Sequence, residues 1–166
     1  ASTKPAGFTT QHRSVNGLPV PSVIPRYRVC LVPESRQAGP LVLIHDSTGA
    51  AAALRPFFAG LDREQFLICC LDAKHAIIGV NVVSIGSLTL SIVHPREVFK
   101  PAILLNAHAL IAAHNHPSGD PTPSAEDRVL TSRLRQAGEL IGIALLDHLI
   151  LGDERIHSFA DHGWPV

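Results

Sequence analysis

One segment, residues 64–73, limits the choice of fold more than any other part of the sequence. It reads EQFLICCLDA, and its apolar side chains fall on both faces of an extended strand. Such a strand is typical of the centre of a sheet, where both faces are covered. We therefore expect a central strand here, with Cys69 and Cys70 on its opposite faces as buried free thiols.

The rest of the sequence alternates between strand and helix patterns. We predict further strands at residues 26–34, 41–46, 76–86, 87–93, 109–114 and 141–152. We predict helices at residues 47–60, 94–109 and 124–138, the first with a bend before Pro56 and the second with a kink at Pro101. This order predicts an α+β fold, in which helices pack around a mostly antiparallel or mixed sheet.

The length and composition favour one folded domain behind a short arm. The chain has 166 residues, of which 46% are apolar, and this is enough for a domain with its own core. Residues 1–24 are rich in Ser, Thr, Pro and Gly and have no periodicity. We expect them to form a flexible N-terminal arm, followed by a single domain at residues 25–166.

Charge, hydropathy and cysteine content narrow the class of protein. The net charge is zero with His neutral, whereas a strongly basic nucleic-acid-binding protein shows its charge in its composition. No apolar run reaches the length of about 18 residues that a membrane span needs. The three cysteines form no C-x-x-C motif, and their odd number suits a reducing compartment. We therefore expect a cytoplasmic protein that does not enter the membrane.

The segment AHNHPSGDPTPSAEDRVL, residues 113–130, contains the side chains that could form a metal site. His114 and His116 are two residues apart, so both imidazoles point to the same side of an extended segment. Asp127, in the first turn of the next helix, could be the third ligand of a catalytic Zn²⁺ site. Two alternatives stay open, because Ser124 and Asp127 also read as a capping box and exposed histidines are common.

The joint pattern of H-x-H, seven residues, S, two residues and D resembles the core of the JAMM, or MPN+, metallo-isopeptidase signature. The segments HPREVFK, LIGIALLDHLILG and HSFADHG are similar to the RadC-type branch of that superfamily. The resemblance extends over residues 26–162, which is nearly the whole chain. It implies a JAB1/MPN-like (cytidine-deaminase-like) α+β fold, with a mixed sheet flanked by helices.

The resemblance also implies a zinc centre and a role for each of its residues. His114, His116 and Asp127 match the Zn²⁺ ligands of the family. Ser124 matches the serine that steadies the tetrahedral intermediate. Glu64, in EQFLICCLD, matches the general base that acts on the zinc-activated water. Without the resemblance, a Glu at the start of a strand reads as a solvated edge residue, since Glu is rarely buried.

The sequence departs from the isopeptidase pattern in two respects. Asn115 stands between the two histidines, where the isopeptidases carry Ser or Thr, and it is typical of the RadC-type branch. The longer RadC proteins also carry an upstream helix-hairpin-helix segment that binds DNA. We recognise no such segment before Glu64, so the chain resembles the shorter, standalone form of the family.

Further groups are expected to orient the metal ligands. The candidates are Asp120, His148 and the backbone near Ser118, which the sequence does not rank. His148 lies inside an apolar strand, LLDHLIL, and also reads as a core histidine with a hydrogen-bond partner.

Three functions are compatible with these features. The first is a zinc-dependent JAMM-type metallohydrolase, with peptidase or isopeptidase chemistry on an unknown protein or peptide substrate. The second is a DNA-binding or DNA-processing module, associated with repair, and the third is a non-catalytic interaction domain. The oligomeric state is left open. The second function would use a basic face made of Arg96, Lys100, Arg128, Arg133 and Arg135.

Overall fold

The computed structural model describes residues 14–15, 18–19, 27–29, 31–34, 40–86 and 93–165 of the chain. It separates into two units, residues 1–30 and residues 31–166. In the first unit, strands β1 (Ser14–Val15) and β2 (Leu18–Pro19) pair in antiparallel orientation. The other residues of the predicted N-terminal arm, 1–24, lie outside the described residues, and the predicted domain boundary at residue 25 stays a prediction.

The second unit contains a mixed five-stranded sheet made of β3 (Gln65–Leu71), β4 (Ile77–Ile85), β5 (Ala109–Asn115), β6 (Ala144–Leu151) and β7 (Ile156–Ser158). The strand order is β4-β3-β5-β6-β7. The β5–β6 pair is parallel, and the other three pairs are antiparallel. This arrangement confirms the predicted α+β fold with a mixed sheet between helices.

Strand β3 is an interior strand of the sheet, as its apolar pattern predicts. All seven of its residues are buried, and it pairs with β4 on one side and with β5 on the other. Cys69 and Cys70 belong to the cores on opposite faces of the sheet. Burial raises the pKa of Cys69 to about 12 and that of Cys70 to about 11, so both thiols stay neutral at physiological pH.

Helices cover both faces of this sheet. Helix α1 (Ser47–Leu54) continues into a 3₁₀ turn at Arg55–Phe58 and packs on one face. Helices α2 (Pro95–Leu104) and α3 (Ala125–Ile141) pack on the other face. All three predicted helices are therefore present. The change to a 3₁₀ turn falls just before Pro56, and α2 runs three residues beyond Pro101.

Two of the predicted strands are wrong. The described residues 27–29 and 31–34 form no strand, although Tyr27 and Val29 alternate with polar side chains as a strand would. Both side chains are largely exposed, so the alternation reflects no buried face. The predicted strand at 41–46 is reduced to an isolated bridge between Leu43 and Ala76.

Two further differences concern short segments. Residues 87–92 of the predicted strand at 87–93 lie outside the described residues. The segment after residue 152, predicted as a tail, contains strand β7, which pairs with β6 at the edge of the sheet. Its three residues are too few for a period-2 pattern to stand out. Within the described residues, no helix is long and apolar enough to cross a membrane.

Candidate metal centre

The candidate site lies where strand β5 ends and helix α3 begins. Strands β5 and β6 are parallel and α3 connects them, so the end of β5 and the start of α3 lie at the same edge of the sheet. His114 is the penultimate residue of β5, and His116 follows the strand directly. Asp127 is the third residue of α3. All three predicted ligands thus come from one β-loop-α segment.

The three side chains converge on a common point. The Nε2 atoms of His114 and His116 are 3.1 Å apart. His114 Nε2 lies 3.2 Å from Asp127 Oδ1, and His116 Nε2 lies 3.6 Å from Asp127 Oδ2. The ligand atoms all fall within 4.8 Å of one another, which is compatible with coordination of one metal ion. His114 and Asp127 are fully buried, whereas His116 is partly open to solvent.

The two carboxylate oxygens of Asp127 differ in their hydrogen bonds. Oδ2 accepts hydrogen bonds from the Ser124 backbone at 2.8 Å and from the Ser124 hydroxyl at 2.7 Å, and Ser124 Oγ accepts from the Asp127 backbone at 3.1 Å. This is a complete capping box. Oδ1 is buried and receives no hydrogen bond from any described residue. Capping occupies Oδ2 and leaves Oδ1 without a hydrogen bond from the described residues, so the capping box and metal binding are compatible.

The charge state of Asp127 also suits a cation. Burial raises the pKa of this carboxyl, whereas its contacts with His114, His116 and the Ser124 hydroxyl lower it. The net effect holds the pKa of Asp127 well below its usual range. A metal ligand must be deprotonated, and an ionised oxygen left buried without a partner is costly. A buried carboxylate oxygen that accepts no hydrogen bond within the described part of the chain and lies 3.2 Å from the Nε2 atom of His114 thus fits a divalent metal.

The ring of His116 is oriented by the loop that follows it. Its Nδ1 lies 2.8 Å from the backbone carbonyl oxygen of Asp120. A carbonyl can only accept, so Nδ1 carries a hydrogen and Nε2 faces the other ligands. The loop is held against the end of β6, where His116 donates its backbone N–H to the Leu151 carbonyl at 2.9 Å. A side chain on Gly152 would collide with the Gly119 carbonyl at this contact.

The ring of His114 is held through its Nδ1 atom by a residue of β6. Its Nδ1 lies 2.8 Å from Nε2 of His148 on β6. Nδ1 of His148 lies 2.6 Å from the Thr131 hydroxyl. Burial holds the pKa of His148 well below its ordinary value, and the neighbouring His114 lowers it further. Among the orienting candidates, Asp120 and His148 contact the ring of a ligand, and the backbone near Ser118 contacts the His116 carbonyl through the Gly119 N–H at 2.9 Å.

Glu64 lies immediately before strand β3, close to the ligands. Its backbone carbonyl accepts a hydrogen bond from Gly86 at 2.8 Å, which joins it to the end of β4. Asp127 raises the pKa of His116 most, and the negative charge of Glu64 adds to the increase. Glu64 is thus near enough to His116 for their charges to interact. Its role as a general base stays a prediction.

Asn115 connects the ligand strand to the segment that carries Glu64. Its side-chain oxygen accepts a hydrogen bond from the Gln65 backbone at 2.8 Å, and its side-chain nitrogen donates to the Arg63 carbonyl at 3.2 Å. One amide thereby ties down the backbone on both sides of Glu64. The sequence alone does not reveal this link, since it depends on the pairing of β3 with β5, in which Phe66 lies opposite His114.

A cleft of about 350 Å³ opens beside the ligand loop. Arg128, which follows Asp127 in α3, is one of its lining residues. The other cations of the predicted basic face are engaged in part, because Lys100 and Arg96 pair with Glu97 and Arg135 stacks over a tryptophan ring. The cleft is lined by Asp120, Pro121, Thr122, Pro123, Arg128, Arg155, Ile156 and His157.

This fold and this site together define a class of protein. A mixed sheet between helices, with a His–His–Asp cluster at the junction of a strand and a helix, is the arrangement expected for a JAB/MPN-type domain. Residues 44–164 match the RadC-like JAB domain family. Since this match covers most of the chain, the protein belongs to the RadC-like JAB domain family.

Similar proteins occur in several organisms. A UPF0758 protein of Symbiobacterium thermophilum is 58% identical over 110 residues, which is 66% of this chain and 47% of that protein. A UPF0758 protein of Thermotoga maritima is 50% identical over 103 residues, 62% of this chain and 46% of that protein. One from Methanosarcina acetivorans is 50% identical over 113 residues, 68% of this chain and 49% of that protein. The chain spans about half the length of these relatives.

Proposed function

We propose that this protein is a zinc-dependent metallohydrolase that cleaves an amide or isopeptide bond in a protein or peptide substrate. The observation that supports it most is the buried Oδ1 of Asp127, which accepts no hydrogen bond from the described residues and lies 3.2 Å from Nε2 of His114, itself 3.1 Å from Nε2 of His116. Two imidazoles and a carboxylate are a ligand set that catalytic zinc sites use, with one position left for solvent or substrate.

Each remaining side chain has a task at this centre. When bound, Zn²⁺ acts as a Lewis acid and brings the pKa of water to about 7. Glu64 would accept a proton from the attacking water and deliver it to the leaving nitrogen. Asn115 would hold the backbone around Glu64 in place. Ser124 holds Asp127 through its hydroxyl in this structure, and its predicted contact with the tetrahedral intermediate would require that hydrogen bond to change.

The experiment compares the wild type with Glu64→Gln in the same assay. Purified proteins are loaded with Zn²⁺, their metal content is measured, and they are incubated with a mixed peptide library that is read by mass spectrometry. We expect new peptide termini with the wild type, and no cleavage by Glu64→Gln despite equal zinc content. Glu139→Gln, which changes an exposed residue of α3, is the matched control and should behave as the wild type.

The same preparations test the metal ligands. His114→Ala and His116→Ala should each lose the near-stoichiometric zinc of the wild type. A wild type that binds no zinc, or a Glu64→Gln variant that cleaves peptides as fast as the wild type, would refute the proposed chemistry.

A second candidate function is a DNA-binding or DNA-processing module. It is favoured by Arg128 and Arg155, whose side chains line the cleft beside the ligand loop. The zero net charge opposes it, because phosphate affinity depends on uncompensated cations. Titration with single- and double-stranded DNA at low salt decides the matter. Binding that weakens as salt increases supports this function, and no binding at low salt rejects it.

A further inference from the structure

A closed series of buried contacts runs behind the candidate metal centre. It begins at the backbone carbonyl of Asp127, which lies 2.6 Å from the Thr131 hydroxyl. It passes through Nδ1 and Nε2 of His148 to Nδ1 of His114. It returns to the carboxylate of Asp127 through Nε2 of His114. All four residues are fully buried, so the protein itself supplies the hydrogens in this series.

The direction of the hydrogen bonds is fixed at the Asp127 carbonyl. A carbonyl has no hydrogen to donate, and two oxygens only 2.6 Å apart would repel without a hydrogen between them. The hydroxyl hydrogen of Thr131 therefore points to Asp127. Since a hydroxyl has only one hydrogen, Thr131 must be the acceptor towards His148. Nδ1 of His148 thus carries a hydrogen.

The next contact follows from the surroundings of the His148 ring. The ring is fully buried and contacts the rings of Phe66 and Phe159, with centroids 5.4 Å and 5.3 Å away, and such apolar surroundings disfavour a second hydrogen and the charge that it would bring. A neutral imidazole with its hydrogen on Nδ1 has only a lone pair on Nε2. His148 Nε2 must then accept from Nδ1 of His114. The hydrogen of a neutral His114 is thereby held on Nδ1, and its Nε2 is the atom left for a cation.

We propose that Thr131 and His148 are positioning residues, which fix the tautomer and the ring plane of His114 so that Nε2 is presented to the metal. The backbone carbonyl of Asp127 sets the direction of these hydrogen bonds. One candidate metal ligand, Asp127, therefore determines which ring nitrogen of another, His114, carries the hydrogen. This inference rests on the proposed function only for the identity of the cation, Zn²⁺. Groups that orient a ligating histidine typically change metal affinity by about 10- to 100-fold when they are removed.

The test uses Thr131→Val, which keeps the shape of the side chain and removes the hydroxyl. Nitrogen-15 NMR of the histidine rings in the metal-free protein should show His114 with its hydrogen on Nδ1 in the wild type. In Thr131→Val this preference should weaken, and Zn²⁺ affinity, measured by competition with a chelator, should fall about 10- to 100-fold. Thr131→Ser restores the hydroxyl and should recover both the tautomer and the affinity.

Thr48→Val, on the exposed surface of α1, is the matched control and should change neither quantity. The proposal is overturned if His114 carries its hydrogen on Nε2 in the wild type, or if Thr131→Val unfolds more easily but binds Zn²⁺ as tightly as the wild type. The NMR measurement needs no metal and no substrate. A wild-type protein that cleaves no peptide would therefore refute the proposed function but not this inference. A wild-type protein that cleaves peptides but carries the His114 hydrogen on Nε2 would refute this inference but not the proposed function.

Discussion

At the scale of single residues, Asn115 shows how one side chain can join two parts of a site. It follows His114 and precedes His116, and both polar atoms of its amide bind the backbone around Glu64. The distance between the proposed base and the metal ligands therefore depends on this amide. A Ser or Thr at this position is too short to span both backbone groups in the same way.

We predict that Asn115→Ala lowers the free energy of unfolding by about 1–3 kcal/mol, since the Gln65 N–H and the Arg63 carbonyl both lose their partner. Urea denaturation of the metal-free protein measures the change. Asn81→Ala, an exposed Asn on β4, is the control and should stay within about 0.5 kcal/mol of the wild type. Equal effects of the two substitutions would mean that the Asn115 contacts contribute nothing to stability.

The residues of the candidate site differ in how far the sequence reveals them. Strand alternation predicts that His114 and His116 point to the same side, but local patterns leave open whether Asp127 joins them or only caps its helix, and the full ligand set comes from the family resemblance. Thr131 is one helical turn after Asp127 and reads as an ordinary polar residue. Its role emerges only when α3 is packed against His148 on β6, and such packing is not encoded in a local pattern.

At the scale of elements, the first turn of α3 combines two requirements in one carboxylate. The capping box uses Oδ2 of Asp127, and the candidate metal centre has Oδ1 available. Stability of the helix start and metal affinity can therefore be separated by substitution.

We predict opposite effects for two substitutions in this turn. Asp127→Asn keeps an oxygen for the cap but places an amide nitrogen or an uncharged oxygen at the metal, so zinc binding should be lost while the metal-free protein stays folded. Ser124→Ala removes the cap hydroxyl and should cost about 1 kcal/mol of stability, while zinc still binds. Thermal unfolding and chelator competition measure the two quantities. The separation of roles is wrong if either substitution abolishes both.

The strand predictions show what local patterns leave out at this scale. The central strand β3 is recognisable because its apolar residues report burial on both faces. The predicted strand at 26–34 rests instead on an alternation of apolar and polar side chains, and its described residues pair with no strand. An alternating pattern indicates that one face of a segment is apolar. A strand also needs a neighbouring strand to pair with, and whether one is available depends on the rest of the fold.

At the scale of the whole molecule, a metal that binds only the folded chain must stabilise it. The candidate ligands come together only when α3 has crossed over between β5 and β6, so the unfolded chain lacks the complete site. At a free zinc concentration of 100 times the dissociation constant, this linkage contributes about 2.7 kcal/mol.

We predict that Zn²⁺ raises the melting temperature of the wild type and that a chelator reverses the increase. His116→Ala should show no zinc-dependent shift, which makes it the control. The shift should shrink on acidification, because protons compete with zinc for the imidazoles. Asp127 raises the pKa of His116, so this competition begins at a higher pH than for a free histidine.

In the metal-free protein, the contribution of His116 to stability changes with pH in the opposite direction. A raised pKa of His116 means that its protonated form stabilises the fold at low pH, and that this contribution is lost as the pH rises through the raised value. The zinc-dependent shift should therefore be small near pH 5.5 and larger near pH 8, values that bracket the ordinary histidine pKa of about 6.5. Differential scanning fluorimetry at the two pH values measures it, and a shift independent of pH would contradict ligation by histidine.

The placement of all three candidate ligands within residues 114–127 has a kinetic consequence. Exchange of the ion would require only the outward movement of the loop between the strand and the helix, and His116 is the ligand nearest to solvent. The β-sheet and the contacts behind His114 would persist during that movement. Loading after synthesis should then proceed at rates set by loop opening, and mild chelation should strip the protein reversibly without passing through a denatured chain.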